Sequence, residues 1–409
     1  MTGVRVRARK NTSQKAAGSA RKDASEKAAH NLNHTAQAAH PMDLACLYGL
    51  VILSGVMQNG AIYNAQAAGN AIWQSVLTAC AVGGGFAFLI HLALRALPGD
   101  APRDWFTLTR ELSGNTGARV SAVAMLVLFF DTAKATVLSM ETTATNEYLG
   151  QTPLWIIAAV GLFVCAVGAR KGLRGTVRCS RLMLAIGAGI VALILVVAWS
   201  AYDLNALFPF FGYGLDKTVG VGIRMGGDSF ADLLVLCLIL PVQRGQRGTG
   251  RGVGLSIALG VSLLLPLALC YAMAYPVTVR YLAPPIQQLA LMSESGRYLQ
   301  RLSPLLVFVW AGAFFAGLSA MLFGISRSWA ALFHLPDEQP LVWAFAALLF
   351  VIALIPYDIL PHFARERLSG YIRIGLFLLA VLPALTGSAR VAWKGRAAAK
   401  KRTLRPHAP

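Results

Sequence analysis

The chain has 409 residues, a formal net charge of +19, 56% hydrophobic and 13% charged residues, and a mean hydropathy of +0.57. Soluble domains carry about a quarter charged residues, so this composition excludes an ordinary soluble enzyme and implies a polytopic helical membrane protein. The positive charge is split into clusters between apolar runs. It therefore sets membrane orientation and argues against a nucleic-acid-binding surface.

Residues 1–41 are rich in Ala, Ser, Lys and Arg and hold eight of the basic residues. They contain no apolar core of the kind a secretory signal needs. Their Arg-rich, acid-poor character is shared with transit peptides, but with many spans following, the segment reads as a disordered basic cytosolic tail. His30 and His34 are four apart there without further ligands, so no metal site is expected. Cys46, Cys80, Cys165, Cys179, Cys237 and Cys270 are scattered with no CxxC pair, which supports neither a disulfide framework nor a zinc site.

Ten membrane spans follow, at about residues 43–64, 70–94, 119–144, 153–170, 181–201, 219–241, 253–277, 302–327, 339–357 and 369–389. The transmembrane domain thus occupies 42–390, and 391–409 reads as a basic cytosolic C-terminal tail. With the N-terminus inside, cytosolic segments hold 28 of the 37 Lys and Arg residues and external segments eight. Both termini are therefore expected in the cytosol, with the basic segments against anionic lipid of the bilayer.

Ten spans divide into five and five, and an odd half starts the second repeat from the opposite side. That is the arithmetic of a 5+5 inverted repeat, an all-α integral membrane bundle in which helices one and six are broken near the midplane. Span one contains Gly55, Gln58, Asn59 and Gly60, and span six contains Gly226, Gly227, Asp228 and Ser229. Glycine weakens a helix by about 1 kcal/mol against alanine. Clustered glycines beside polar groups favour an unwound turn lining a cavity, while close helix packing is the plainer alternative. In span three, Asp131 and Lys134 are three apart, share a face and can pair; Glu141 lies two turns further on. In span eight, Trp310 and Phe314 are four apart on one face. These residues, Glu141 apart, form the expected ligand pocket, with free backbone N–H groups suited to a carboxylate and Asp228 suited to an ammonium.

Between spans five and six lies FPFFGYGLDKT, Phe208 to Thr218. Its aromatics suit the membrane interface and its Pro209, Gly212 and Gly214 suit a tight turn, so a packed cap over the ligand entrance is expected. No phosphate-binding glycine loop, HExxH or nucleophile elbow is present, so neither enzymatic activity nor a cofactor is expected.

Five stretches, in order, resemble one family. They are AAGNAIWQSVL with Gly69 and Trp73, LGQTPLW with its Thr-Pro step, and RKGLRGTVRCSRL with Gly172 and Arg178. The fourth is DLNALFPFFGYGLDKTVGVGI, and the fifth is RYLQRLSPLLVFVW opening span eight. Together they resemble the B subunit of spore germinant receptors, the endospore germination permease family of the amino acid–polyamine–organocation transporter superfamily. The resemblance extends over about residues 42–390. Ala71, Arg174 and Ser303 stand where that family often has Asp, Glu and Glu. The resemblance implies a receptor subunit that binds a small germinant, typically an amino acid, and triggers spore germination. It implies an A-type membrane subunit and a C-type lipoprotein as partners, in the spore inner membrane. An amino-acid permease of the cell membrane, coupled to protons or sodium, is the alternative on the same fold.

Overall fold

The computed structural model describes residues 41–56, 68–95, 104–145, 150–171, 173–238, 249–275, 289, 303–355 and 367–403. The described chain is helical throughout. Its elements are α1 (Pro41–Val56), α2 (Ile72–Arg95), α3 (Trp105–Thr143), α4 (Leu154–Arg170) and α5 (Leu173–Val197), then α6 (Leu215–Phe230), α7 (Thr249–Ala274), α8 (Ser303–Phe333), α9 (Gln339–Leu354) and α10 (Gly370–Thr403). Each falls on one of the ten expected spans. Among the described residues, α2, α3, α5, α7, α8 and α10 are long and apolar enough to cross a membrane alone, and α1, α4 and α9 are shorter apolar helices.

Several boundaries differ from the expected ones, and three of them have a clear local reason. α3 begins fourteen residues early because Trp105, Phe106 and Leu108 form a buried apolar face on a first segment that kinks at Gly114, where φ is 78°. Trp105 is fully buried, and its Nε1 donates to Ser121 Oγ at 3.0 Å. α10 runs past residue 390 to Thr403 because that stretch is rich in Ala, Lys and Arg, which are strong helix formers. α8 continues to Phe333, where an apolar turn stacks Trp329 on Phe333.

The packing of helices repeats with a two-fold pattern. α1 lies on α7 and α5, while α6 lies on α2 and α10. α8 lies on α5, while α3 lies on α10; α8 lies on α4, while α3 lies on α9. Each of these contacts has its counterpart when the two halves are exchanged, which is what an inverted repeat requires. The pattern also sorts the helices. α1, α2, α6 and α7 pack among themselves, α3, α4, α8 and α9 do likewise, and α10 touches both groups.

One correspondence is incomplete. α1 packs broadly along α8, but its counterpart α6 meets α3 mainly through a 3-10 turn, Ala231–Leu233, that follows α6. Span six is interrupted at this turn and resumes as the short helix Leu234–Cys237. The expected break in span six is therefore present, but it lies just beyond Gly226–Ser229, which remain helical. Phe230, fully buried, wedges its ring against Gly83 of α2 and Gly260 of α7.

The glycines of α6 serve the close approach of helices. A Cβ on Gly226 would lie 2.7 Å from Val82 of α2, and one on Gly227 would collide with the backbone of Gly370 in α10. Gly227→Ala should therefore lower stability, by about 1–3 kcal/mol if the helices separate only slightly. Gly84→Ala, where nothing lies within 4 Å, should keep or raise the melting temperature, since alanine is the better helix former. Thermal unfolding of the two variants in detergent checks the contrast.

Candidate ligand site and buried charge network

Span ten carries Arg373 one turn inside its N-terminal end. The apolar run YIRIGLFLLAVL around it offers the guanidinium no water, and it is 0% exposed. An arginine at such a depth persists only when its donors are satisfied. Arg373 Nη1 donates to Asp131 Oδ2 at 2.9 Å, and Nη2 donates to Asp232 Oδ1 at 2.7 Å and to Thr132 Oγ1 at 2.9 Å. Its Nε points at the Gly227 carbonyl, 3.3 Å away.

The partners are themselves held. Lys134 Nζ lies 3.3 Å from Asp131 Oδ1, the pairing that their spacing on α3 suggests. The Leu368 backbone N–H donates to both Asp131 oxygens at 3.2 Å. Thr132 Oγ1 is 2.8 Å from Asp232 Oδ1, and Arg367 Nη2 donates to Asp232 Oδ2 at 3.0 Å. The network thus joins α3, the interruption in span six and the start of α10.

The sequence-predicted residues divide three ways. Asp131 and Lys134 belong to this network. Gly226 and Gly227 line the contacts of α6 with α2 and α10, and the Gly227 carbonyl accepts from Arg373. Asp228 is partly exposed, 4.0 Å from Arg224 Nε one turn back, and also lies in the field of Arg367 and Arg373. The Ser229 carbonyl accepts from Tyr48 Oη of α1 at 3.4 Å, a contact between the first and sixth spans. Trp310 and Phe314 share a face of α8, with ring centroids 5.7 Å apart. α8 packs on α1, α3, α4, α5 and α9 and meets span six at the short helix Leu234–Cys237. Gly55 falls in the last turn of α1; Gln58, Asn59 and Gly60 lie outside the described residues. Glu141 is buried near the end of α3.

Asp232, Arg367 and Arg373 were missed from the sequence. Arg373 lies within span ten, on the helix that begins at Gly370. The signal was available: Asp232 in ADLLVL and Arg373 in YIRIGLF are single charges inside apolar runs, and such residues point inward.

The aromatic segment before α6 folds back over the start of α2. Asn70 Nδ2 donates to the Phe208 carbonyl at 3.1 Å and Gln74 Nε2 to the Phe210 carbonyl at 2.6 Å. Trp73 meets the Phe210 ring edge-on at 5.2 Å. The approach needs left-handed glycines on both sides: Gly69, φ 62°, lies under the Tyr213 ring, and Gly212, φ 53°, lies against the Ala68 carbonyl. Two stretches that resemble the same family, AAGNAIWQSVL and DLNALFPFFGYG, are thus one structural unit.

A bundle of ten helices with an inverted-repeat contact pattern and a 3-10 interruption in span six defines a transporter-like membrane fold. Solved structures agree. The chain superposes on MhsT in complex with L-phenylalanine with a TM-score of 0.52 at 12% identity, over 85% of this chain and 88% of that one. It superposes equally, at 0.52 and 12% identity, on Mhp1, a nucleobase-cation-symport-1 family transporter in a closed conformation with bromovinylhydantoin bound. That match covers 88% of this chain and 94% of the other. At such identity the likeness establishes the fold. No curated protein matches the chain in sequence. The spore permease family model, described as spore germination protein, matches residues 46–360. The chain belongs to that family.

Removing Arg373 would strand two buried carboxylates. Arg373→Ala should therefore destabilise the folded bundle by about 3–5 kcal/mol. Arg224→Ala, which breaks a 4.0 Å pair with a half-exposed arginine, should cost less than about 1 kcal/mol. Unfolding in graded SDS, followed by tryptophan fluorescence, distinguishes the two.

Proposed function

We propose that the chain is a germinant-sensing membrane receptor subunit that binds a small nutrient, an amino acid, in a transporter-like pocket and so triggers spore germination. The observation that carries this reading is the spore permease match over residues 46–360, which coincides with a bundle interrupted at Ala231–Leu233 within span six. The pocket draws on Gly55, Gln58, Asn59 and Gly60 of span one and Gly226, Gly227, Asp228 and Ser229 of span six. Asp131 and Lys134 flank it from span three, and Trp310 and Phe314 from span eight. In this reading Asp228, exposed enough to be reached, receives the ammonium group, and the aromatic segment Phe208–Thr218 caps the entrance. The subunit works with an A-type membrane subunit and a C-type lipoprotein in the spore inner membrane, with both termini cytosolic. Ligand binding acts by favouring one arrangement of the two helix groups over another, which requires different affinity for the two.

A second reading is an amino-acid permease coupled to protons or sodium. It is favoured by the likeness to MhsT, whose structure holds L-phenylalanine, and to a cation-symport family transporter. The two readings part in a simple pair of measurements. A deletion strain complemented with this chain and its partners should germinate in response to particular amino acids. The chain alone in liposomes should not accumulate labelled amino acid; accumulation would favour the permease.

Within the first reading, Asp228→Asn should shift the germination dose–response to about tenfold higher amino-acid concentration, the equivalent of one lost charged contact. An unshifted curve removes Asp228 from the site.

A further inference from the structure

We infer that Arg367 is the anchor for a carboxylate group of the ligand. This rests on the amino-acid reading above and names the residue that holds one end of that ligand.

The charge balance of the network points to an anion. Asp131 and Asp232 face Lys134, Arg367 and Arg373, so two carboxylates meet three cations. Extending the circle to Asp228 and Arg224 adds one charge of each sign. Tyr48, which lies in the field of Asp232, adds none while its phenol is protonated. Among the described residues of this network, cations outnumber carboxylates by one, and a surplus charge in apolar surroundings is costly.

The three cations are not equally committed. Lys134 is bound to Asp131. Arg373 is sealed, 0% exposed, with Nε, Nη1 and Nη2 all engaged. Arg367 uses Nη2 for Asp232 and, at 3.4 Å, for Thr132. Its Nε is shielded from solvent and has no hydrogen-bond partner among the described residues. Yet its side chain is 23% exposed, so it can be approached. The free Nε–H can donate one charge-assisted hydrogen bond to a carboxylate beside the Asp232 contact.

The setting suits an amino acid at both ends. Arg367 lies just before α10, bonded to Asp232 within the Ala231–Leu233 turn, and Asp228 lies in its field one turn earlier on α6. Arg367 for a carboxylate and Asp228 for an ammonium form a complementary pair of poles. Inorganic chloride shares the anionic chemistry, so the test separates the two.

The full chain in lipid nanodiscs is titrated with the twenty L-amino acids and with their amides, which lack the carboxylate. Thermal stabilisation is the readout, in chloride buffer and in isethionate buffer. Wild type is compared with Arg367→Gln and Arg367→Lys. An amino acid that stabilises wild type should bind about ten- to hundredfold more weakly as its amide, the loss expected when a charged hydrogen-bond pair is removed. Arg367→Gln should lower the acid to the level of its amide while the amide itself binds as to wild type. Arg367→Lys should fall between. Amide binding requires a folded chain but not the carboxylate, so it separates a lost anchor from a lost fold. The inference is overturned if Arg367→Gln keeps the wild-type acid-to-amide ratio. It is also overturned if chloride alone stabilises wild type and amino acids leave that effect unchanged. Failure of the underlying reading looks different: wild type then shows neither stabilisation by any amino acid nor germination in response to one, and the inference falls with it.

Discussion

A guanidinium enclosed among apolar helices dictates much of this architecture. Arg373 can be where it is only because α3 brings Asp131 and Thr132, span six brings Asp232 and the Gly227 carbonyl, and α10 brings the arginine itself. Remove any one and the others are left with charge or polar groups in a medium that cannot solvate them. The cost is highest where the two groups of helices meet. The α1–α2–α6–α7 group and the α3–α4–α8–α9 group also touch where α1 packs along α8. At Arg373 they are tied by directional bonds of fixed length.

The interruption in span six follows from the same arrangement. An unbroken helix would carry its carbonyls past α3 without offering a carboxylate at the right height. The turn at Ala231–Leu233 instead sets Asp232 across from Thr132, 2.8 Å away. Ordinary apolar packing, which α1 makes along α8, is thus replaced on the other side of the repeat by a polar join.

The class of fold was legible because it depends on quantities that sequence carries directly. Apolar runs long enough to span a bilayer, basic residues on alternate connections and an odd number of spans per half together lead to the inverted repeat. The Asp131–Lys134 pair was legible too, since three residues along a helix bring side chains together whatever surrounds them. Two things were not. Gly226 and Gly227 read as an unwound turn, yet they are helical and allow Val82 and Gly370 to come close; the same small side chain serves both purposes, and only the neighbouring helix decides. Arg373 and Asp232 are 141 residues apart in sequence, so nothing local announces their partnership. Each was visible as an isolated charge in an apolar run, but the spacing rules that found Asp131 and Lys134 have no reach across helices.

The fold-back of the aromatic segment onto α2 has a mechanical consequence. Ser75 Oγ donates to the Thr218 carbonyl at 2.8 Å, Gln74 and Asn70 hold the preceding turn, and Gly222 and Gly226 of α6 sit against Ser75, Thr78 and Val82 further along. α2 and α6 are therefore clamped along most of their shared length and rotate as one rigid arm. The turn after Phe230 is the natural fulcrum of that arm. Any displacement of α6 must therefore carry α2 with it.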